Sequence, residues 1–116
     1  RMAWLTERGT TFGYQDLVVD FRGLAAMRSY GPTVMYLTHI LQQPNQSSGV
    51  TGGRPELIAH MARTAVAAGA DGVFIETHPD PATAKSDGAN MLALERFAAL
   101  AQQMRTMRDA YLEATR

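Results

Sequence analysis

The sequence predicts an α/β fold in which short parallel strands alternate with helices. Three units along the chain follow one order: a short apolar run, a loop rich in glycine and polar residues, and a segment with helical spacing. Strands that are joined by helical crossovers pair in parallel. In such folds the residues that carry chemistry collect in the loops after the strands. Charged residues and histidine follow the three apolar runs, which predicts a functional site at that edge of the sheet.

The first two units have clear starts and stops. The apolar run 2–6 is followed by a segment with helical spacing over residues 17–30, which Gly31-Pro32 ends. The second apolar run, 33–38, leads into a long loop and then into a helix that opens at Pro55, a residue suited to a first helical turn. Each run predicts one strand, and each periodic segment predicts one helix.

The third unit has the apolar run 72–76, a polar loop and a long last helix. The second helix is expected to end before Gly69. Apolar residues at helical spacing predict a buried face on each of the last two helices. The residues expected on these faces are Leu57, Ile58, Met61, Ala65 and Ala68 in the second helix, and Leu94, Phe97, Leu100, Ala101, Met104, Met107 and Tyr111 in the last.

Composition limits the classes of function. The chain has 116 residues, of which 46% are hydrophobic, enough to bury one modest core. Its 11 basic and 11 acidic side chains balance, which argues against a general electrostatic attraction to nucleic acid or to an anionic membrane. The absence of cysteine excludes disulfides and thiolate metal sites. No apolar run approaches the ~18 residues of a membrane span, so we expect a soluble, cytoplasmic protein.

Arg8 follows the first apolar run within the triplet Glu-Arg-Gly. A guanidinium at a strand end, before a flexible loop, suits bidentate recognition of phosphate or carboxylate. The alternative is a surface ion pair of Arg8 with Glu7 or with Asp20.

The stretch FIETHPDP places a glutamate, a histidine and an aspartate where the third strand is expected to end. Alternate side chains of a strand point to opposite faces. Val73 and Ile75 suit the face that packs on helices, so Glu76 is expected to point to the other face. His78 lies past the strand end and is a candidate for a supporting role, and Asp80 is expected to begin a turn or a helix.

His39, Glu76 and Asp87 come from successive loops at this same edge of the sheet. One imidazole and two carboxylates suit a divalent metal such as Zn, Fe or Mn. They also suit a metal-free acid–base cluster that orients a water molecule, or are three unrelated polar residues.

The loop SSGVTGG, residues 47–53, precedes the second helix. Glycines and hydroxyl groups at this place form either an anion-binding nest or a mobile lid, and a plain flexible loop is the alternative. The length of the whole loop favours function, because loops beyond ~12–15 residues without regular structure are uncommon in compact domains.

Three segments together resemble the C-terminal part of the 3-deoxy-D-manno-octulosonate 8-phosphate synthases, also called 2-dehydro-3-deoxyphosphooctonate aldolases. These segments are TERGTTFGYQDLVVDFRGL, THILQQPNQSSGVTGGRPEL and AVAAGADGVFIETHPDPATAKSDGANML. The motif ERG, and HPDP with SDG, also occur in the related 3-deoxy-7-phosphoheptulonate synthases. The FGYxxLVVDFR run and the TH-x-x-Q element favour the octulosonate branch.

The resemblance implies a TIM (β/α)8 barrel, of which residues 1–116 would be a C-terminal segment with about the last three βα units. It implies a transferase of lipopolysaccharide precursor synthesis that condenses phosphoenolpyruvate with arabinose 5-phosphate. In that family C3 of the enol attacks the sugar aldehyde, water adds at C2, and phosphate leaves by C–O cleavage. The family forms tetramers, so a homo-oligomer is expected, with no nucleic-acid or membrane partner.

The resemblance also implies roles for residues. Arg8 would bind phosphoenolpyruvate, and His39, Glu76 and Asp87 would be metal ligands in metal-dependent members. In metal-independent members the same three would position water and sugar hydroxyls. The loop SSGVTGG would close over the bound substrates. The positions expected to contact substrate are Arg8, Asp87, Ser48 and Gly52.

The sequence departs from the family pattern near His39. Tyr36 stands where the family usually has aspartate, Ile40 follows the histidine where a small residue is usual, and Ala89 replaces a proline of SDGPN. Tyr36 and Ile40 lie within the strand and loop that present His39, so the local geometry there is expected to differ from that of the family.

A three-stranded parallel sheet would leave two edges and one face uncovered. We therefore expect the chain alone to be inactive and to need the remaining barrel, another chain or self-association. Two alternatives to the octulosonate synthase stay open. One is a heptulosonate synthase, which uses erythrose 4-phosphate, and the other is a non-catalytic fragment or engineered assembly of the barrel.

Overall fold

The computed structural model describes residues 2–14, 16–43 and 52–116. These described residues form nine short strands and three α-helices. The strands are β1 (Leu5–Glu7), β2 (Thr11–Gly13), β3 (Asp16–Val18), β4 (Thr33–Tyr36), β5 (Gln42–Gln43), β6 (Gly52–Gly53), β7 (Gly72–Phe74), β8 (Thr77–His78) and β9 (Leu92–Ala93). The helices are α1 (Phe21–Arg28), α2 (Ile58–Ala67) and α3 (Phe97–Ala114).

The central sheet has the order β1-β4-β7, and both pairs are parallel. Thr6 is paired with Val34, and Tyr36 with Phe74, so the three strands end close to one line. The prediction of a parallel α/β arrangement is therefore confirmed. Because all three carboxyl ends lie at one edge, the loops after β1, β4 and β7 meet there.

The two faces of the sheet have different surroundings. Met35 is fully buried on the helix side, and Val73 and Ile75 pack against the same core. The other face carries Tyr36 and Phe74, and Phe74 is 50% exposed. The buried hydrophobic residues of the core are Leu24, Met35, Leu37, Ile40, Ile58, Ala62, Ala65, Ala70, Leu92 and Leu100.

The first predicted helix is shorter than its sequence pattern indicates. Leu17 and Val18 pair with the strand β2 in an antiparallel hairpin, so the prediction of a helix from Leu17 is wrong for these residues. The helix instead begins after Asp20, whose side chain accepts a hydrogen bond from the Arg22 N–H. A carboxylate at this position satisfies a backbone donor that lacks a partner within the helix, and it fixes the start of α1.

The second helix begins and ends where the sequence predicts. Pro55 opens a short 3-10 turn that continues into α2, and Gly69 follows the helix with a φ of 100°. The Gly69 N–H donates to the Val66 carbonyl, and the Ala70 N–H to the Ala65 carbonyl. These two bonds form a Schellman motif, which requires a residue that tolerates the left-handed conformation.

The buried faces of the last two helices differ in part from the predicted ones. Ala68 is exposed, whereas Ala62 and Val66 are buried in α2. In the last helix Leu100 is buried, but Leu94 and Phe97 are 48% and 40% exposed. Helix α3 packs on α2, and its first-turn residues Phe97, Ala98 and Ala99 are exposed. Within the described ranges, no helix has the length and apolar character needed to cross a membrane.

Asp71 joins the sheet to α3 at the amino ends of the strands. Its Oδ2 accepts the Thr33 N–H at 3.0 Å, and its carboxylate lies 3.4 Å from both Arg28 and Arg108. Burial acts to raise the pKa of Asp71, but the Thr33 N–H and the two guanidinium groups outweigh it and lower that pKa. Both guanidinium groups also lie over the Tyr111 ring, 5.4 and 5.6 Å from its centroid.

Replacing Gly69 by alanine is expected to lower the free energy of unfolding by about 1–2 kcal/mol, because the left-handed conformation strains a residue with a Cβ atom. That Cβ would also lie 2.7 Å from Arg28 Nη1 and from the Tyr111 hydroxyl. Urea denaturation of the chain measures the effect. Gly72→Ala is the matched control, since its Cβ would make an ordinary 3.5 Å contact with Val34. If Gly69→Ala and Gly72→Ala lose the same free energy of unfolding, the strain expected at position 69 is contradicted.

Candidate functional site

Glu76 follows β7 and points to the face of the sheet away from the core, as predicted. The Tyr36 hydroxyl donates a hydrogen bond of 2.8 Å to Glu76 Oε1. The Glu76 N–H donates to the buried Thr38 hydroxyl at 2.9 Å. Both the carboxylate and the backbone of Glu76 are thus held by residues at the end of the neighbouring strand β4.

His39 begins the 3-10 helix His39–Leu41, directly after β4 and Thr38. Its ring lies 4.2 Å from the Tyr36 ring, centroid to centroid, and its Nδ1 is 3.9 Å from Glu76 Oε1. The His39 side chain is only 14% exposed, and its Nδ1 has no hydrogen-bond partner among the described residues. An imidazole nitrogen is therefore available beside the Glu76 carboxylate.

Arg8 follows β1 and lies on the same face as Tyr36. Its Cζ is 5.8 Å from the centroid of the Tyr36 ring, close enough for a cation–π contact. The alternative of a surface ion pair is not seen in the described ranges. Asp20 instead pairs with Arg22 at 2.8 Å, and the buried Glu7 carboxylate accepts the Gly9 N–H. The Arg8 guanidinium is thus directed over the site without a carboxylate partner in the described chain.

Tyr36 is the common neighbour of the residues that the sequence predicts for the site. Burial and the hydrogen bond to Glu76 raise the pKa of Tyr36 to about 12. The positive charge of Arg8 opposes this shift, and the negative charge of Asp87 adds to it. At neutral pH the hydroxyl is therefore a hydrogen-bond donor. In the sequence Tyr36 stands out only as a departure from the family pattern, and its place in the site was not predicted.

Asp87 belongs to the loop between β8 and β9. It is exposed, has a φ of 52°, and directly precedes the 3-10 helix Gly88–Asn90. Its charge acts on Tyr36 from a distance, but it makes no hydrogen bond to His39 or to Glu76 in the described structure. The structure thus brings His39 and Glu76 into one group and leaves Asp87 at its border.

The long loop before α2 is described only at its ends. Gly52 and Gly53 form β6, which pairs with β5 in an antiparallel ladder. Ser48, the other substrate contact expected in this loop, lies outside the described residues. Gly52 therefore has a defined position at the base of the loop, and its contact with substrate stays a prediction.

Asn90 is a polar residue that sequence reasoning missed. Its side chain is 1% exposed, and neither its Oδ1 nor its Nδ2 has a hydrogen-bond partner among the described residues. It packs directly against Gly53, where a Cβ atom would collide with the Asn90 side chain. Glycine at position 53 is thus required for this contact between β6 and the Gly88–Asn90 turn.

His78 and Asp80 complete the strand end that contains Glu76. The Asp80 N–H donates to His78 Nδ1 at 2.9 Å, and Asp80 directly precedes the 3-10 helix Pro81–Thr83. The prediction that Asp80 begins a turn or helix is confirmed. His78 contacts the backbone here and supports the shape of the loop.

The donor atoms of the described site do not fit a metal ion as they stand. The described residues contain no group of three His, Asp or Glu side chains arranged to hold one. His39 and Glu76 supply two donors, and the Tyr36 hydroxyl already binds the Glu76 oxygen that faces His39. The metal ligation expected of His39, Glu76 and Asp87 therefore stays a prediction, and no chemical step below depends on it.

The site lies on an open surface. A cavity of about 460 Å³ lies elsewhere, between α2 and α3, and Ala59, Arg63, Leu100 and Gln103 are among its lining residues. None of the predicted site residues lines it. Their position at the carboxyl ends of β1, β4 and β7, where parallel α/β folds carry their sites, favours the sheet edge over this cavity as the candidate site.

Most of the chain is similar in sequence to curated proteins. The 2-dehydro-3-deoxyphosphooctonate aldolase of Koribacter versatilis is 48% identical over 109 residues, which cover 91% of this chain and 39% of the relative. The protein of the same name from Helicobacter hepaticus is 46% identical over 101 residues, which cover 87% of this chain and 37% of the relative. The chain thus spans less than two-fifths of the length of these relatives.

Solved structures show the same fold. A truncated form of 3-deoxy-D-arabino-heptulosonate 7-phosphate synthase from Thermotoga maritima superposes with a TM-score of 0.74 at 33% identity, and the match covers 91% of this chain and 38% of that chain. The fold class is therefore α/β, a part of a TIM (β/α)8 barrel. The family model of the DAHP synthetase I family matches residues 2–113. The chain therefore belongs to the DAHP synthetase I family.

Proposed function

We propose that the chain forms part of a transferase that condenses phosphoenolpyruvate with arabinose 5-phosphate. The products would be 3-deoxy-D-manno-octulosonate 8-phosphate and inorganic phosphate, within lipopolysaccharide precursor synthesis. The observation that carries the proposal is the convergence of Arg8, His39 and Glu76 around Tyr36 at the ends of three neighbouring strands. The names of the curated relatives at 46–48% identity support the choice of reaction.

Arg8 would bind phosphoenolpyruvate. Phosphoenolpyruvate carries a carboxylate and a phosphate, and a guanidinium recognises both through paired N–H donors. The Arg8 guanidinium lies over the Tyr36 ring and has no carboxylate partner in the described chain, so an anionic ligand can take that place. The bound anion would then lie next to Glu76 and His39.

Glu76 would accept the proton of the attacking water, and His39 would pass that proton on. In the reaction the C2–C3 π electrons form the new C–C bond to the sugar aldehyde, whose oxygen takes up a proton. Water adds to C2 and loses a proton. The new C2 hydroxyl then loses its proton as its O–H electrons form the C2=O bond, and the phosphate leaves with the electron pair of the bond from C2 to its oxygen. The Glu76 carboxylate is the acceptor best placed for the proton of that water, and His39 lies within 3.9 Å to pass it on.

The open face of the sheet indicates a partner for this chain. Phe74 is 50% exposed on the face that carries Tyr36, and the strands β1 and β7 are edge strands in the described sheet. Exposed edges and apolar faces of parallel sheets are normally covered. We propose that residues 1–116 form one segment of a barrel domain, which a further segment or another chain completes. Assembly into a homo-oligomer and a cytoplasmic location are part of the same proposal.

A heptulosonate 7-phosphate synthase is the second candidate. It is favoured by the family model, which has the description DAHP synthetase I, and by the Thermotoga maritima structure at 33% identity. Such an enzyme would use the same Arg8, His39 and Glu76 for phosphoenolpyruvate and water. The aldehyde substrate would differ, with erythrose 4-phosphate in place of arabinose 5-phosphate.

The test requires a complete barrel. The chain is co-expressed with the part of the Koribacter versatilis relative that it does not match, here called the complementing segment, and the product is called the assembled protein. Phosphate release is measured with phosphoenolpyruvate and either sugar phosphate. We expect turnover with arabinose 5-phosphate, at least tenfold above that with erythrose 4-phosphate, and none with the chain alone.

Three results would contradict the proposal. Preference for erythrose 4-phosphate would favour the heptulosonate synthase. An assembled protein that forms but has no turnover with either sugar would indicate a non-catalytic chain. Turnover by the chain in the absence of any other polypeptide would refute the proposed need for a partner. A control in which the complementing segment is expressed alone measures the background rate.

A further inference from the structure

Glu76 is held from two sides by residues that are not acids or metal ligands. The Tyr36 hydroxyl donates to its Oε1 at 2.8 Å, and the Thr38 hydroxyl accepts its N–H at 2.9 Å. Thr38 is fully buried, so this second bond is protected from water. Within the described residues, the Tyr36 hydroxyl thus orients the carboxylate, and Thr38 fixes the backbone that carries it.

The Tyr36 ring is itself fixed by aromatic neighbours. The ring of Phe74 meets it edge-on, with centroids 4.5 Å apart and planes at 78°, and the His39 ring lies on another side at 4.2 Å. Such tilted and edge-to-face arrangements are favourable contacts of aromatic rings. Arg8 adds a cation–π contact at 5.8 Å. The hydroxyl is therefore presented to Glu76 by a packed ring with little freedom to rotate away.

The Tyr36 hydrogen bond occupies one acceptor position on the Glu76 oxygen that would face a metal ion. Zinc binds carboxylate oxygen and imidazole nitrogen at about 2.0–2.2 Å, and a structural or catalytic site requires at least three protein ligands. Here the Glu76 oxygen that faces His39 already accepts a hydrogen bond from the Tyr36 hydroxyl. The described residues offer no third His, Asp or Glu side chain in a suitable position.

We propose that Tyr36 is a positioning residue that fixes the Glu76 carboxylate, and that His39 and Glu76 of this chain do not hold a divalent metal by themselves. Glu76 then acts on water directly, with its orientation set by the Tyr36 and Thr38 hydrogen bonds. The kinetic part of this inference rests on the proposed function, whereas the metal-binding part depends only on the residues of this chain.

The first test measures metal content and needs no enzymatic activity. The chain is treated with EDTA, incubated with excess Zn²⁺ or Mn²⁺, and passed through a desalting column. Metal is then determined by mass spectrometry. We expect less than about 0.1 ion per chain, as a site with two available protein donors retains metal poorly. Retention of about one ion per chain, lost in His39→Ala, would overturn the inference even if the proposed reaction takes place.

The second test separates positioning from binding. In the assembled protein Tyr36→Phe removes the hydroxyl and keeps the ring, so we expect kcat to fall about tenfold while the KM for phosphoenolpyruvate stays within twofold. Tyr30→Phe is the matched control, since Tyr30 is 86% exposed and precedes β4, at the end of that strand opposite to the site. Wild-type kcat in Tyr36→Phe, or a fall that added Zn²⁺ restores, would overturn the positioning role.

A crystal structure of Tyr36→Phe in the assembled protein keeps the inference testable if no turnover is found. We expect the Glu76 carboxylate to adopt more than one conformation while its backbone stays bonded to Thr38. A Glu76 side chain unchanged from that of the wild type would show that Tyr36 does not position it. If the condensation assay fails, the proposed reaction is refuted. The conformation of Glu76 in Tyr36→Phe still tests the positioning role of Tyr36.

Discussion

Replacing Glu76 by glutamine in the assembled protein is expected to lower kcat by about 10²–10⁴-fold, the usual contribution of a positioned proton acceptor. The amide oxygen can still accept the Tyr36 hydrogen bond, so the geometry of the site is preserved. The amide cannot take a proton from the attacking water. Because Glu76 is assigned to water and not to phosphoenolpyruvate, the KM for that substrate should change little. Initial rates of phosphate release measure both constants.

Glu56→Gln is the matched control for this experiment. Glu56 is exposed in the 3-10 helix Pro55–Leu57 and lies outside the group around Tyr36. We expect wild-type kinetics from it. A kcat for Glu76→Gln within threefold of that of the wild type would show that Glu76 does not accept the proton, and the role assigned to it would have to pass to His39.

The second large effect is expected on stability. Leu37→Ala should lower the free energy of unfolding by about 2–5 kcal/mol, because a fully buried leucine is truncated and leaves a cavity. Leu37 also connects β4 to Thr38, and its N–H donates to the Phe74 carbonyl at 3.0 Å. A cavity at this point would loosen the segment that presents Thr38 and His39 to the site.

Urea denaturation of the chain gives the size of this loss, and Leu112→Ala provides the comparison. Leu112 is 49% exposed in α3, so its truncation should cost much less than that of Leu37. Similar losses in the two variants would mean that the core does not extend under the carboxyl end of β4 as described.

Period-two alternation could be predicted from the sequence because it depends on local pattern. Val73 and Ile75 are apolar and Glu76 is charged, so only one orientation of the strand buries the first two. The structure confirms this orientation, with Val73 and Ile75 on the core and Glu76 bonded to Tyr36. Gly69 after α2 could also be predicted, because the Schellman motif that it forms depends only on neighbouring residues.

Features that depend on distant residues could not be predicted in this way. The spacing of Leu17 and Val18 is compatible with a helix, but pairing with β2 determines their conformation. The exposure of Leu94 and Phe97 depends on what covers the first turn of the last helix. The spacing of apolar residues along a helix does not indicate which element packs there. Tyr36 belongs to the site because it contacts Arg8 and Glu76. These two residues follow β1 and β7, the strands on either side of β4.

The measurement that tests the central claim most directly is the affinity of the assembled protein for phosphoenolpyruvate, determined by calorimetry. If Arg8 provides the cation of the site, Arg8→Ala should raise the Kd about 10- to 100-fold, the usual cost of a lost charge-assisted hydrogen bond. Arg105→Ala, at a side chain that is 75% exposed on α3, should leave the Kd unchanged. Wild-type affinity in Arg8→Ala would contradict the assignment of the substrate site to the edge where β1, β4 and β7 end.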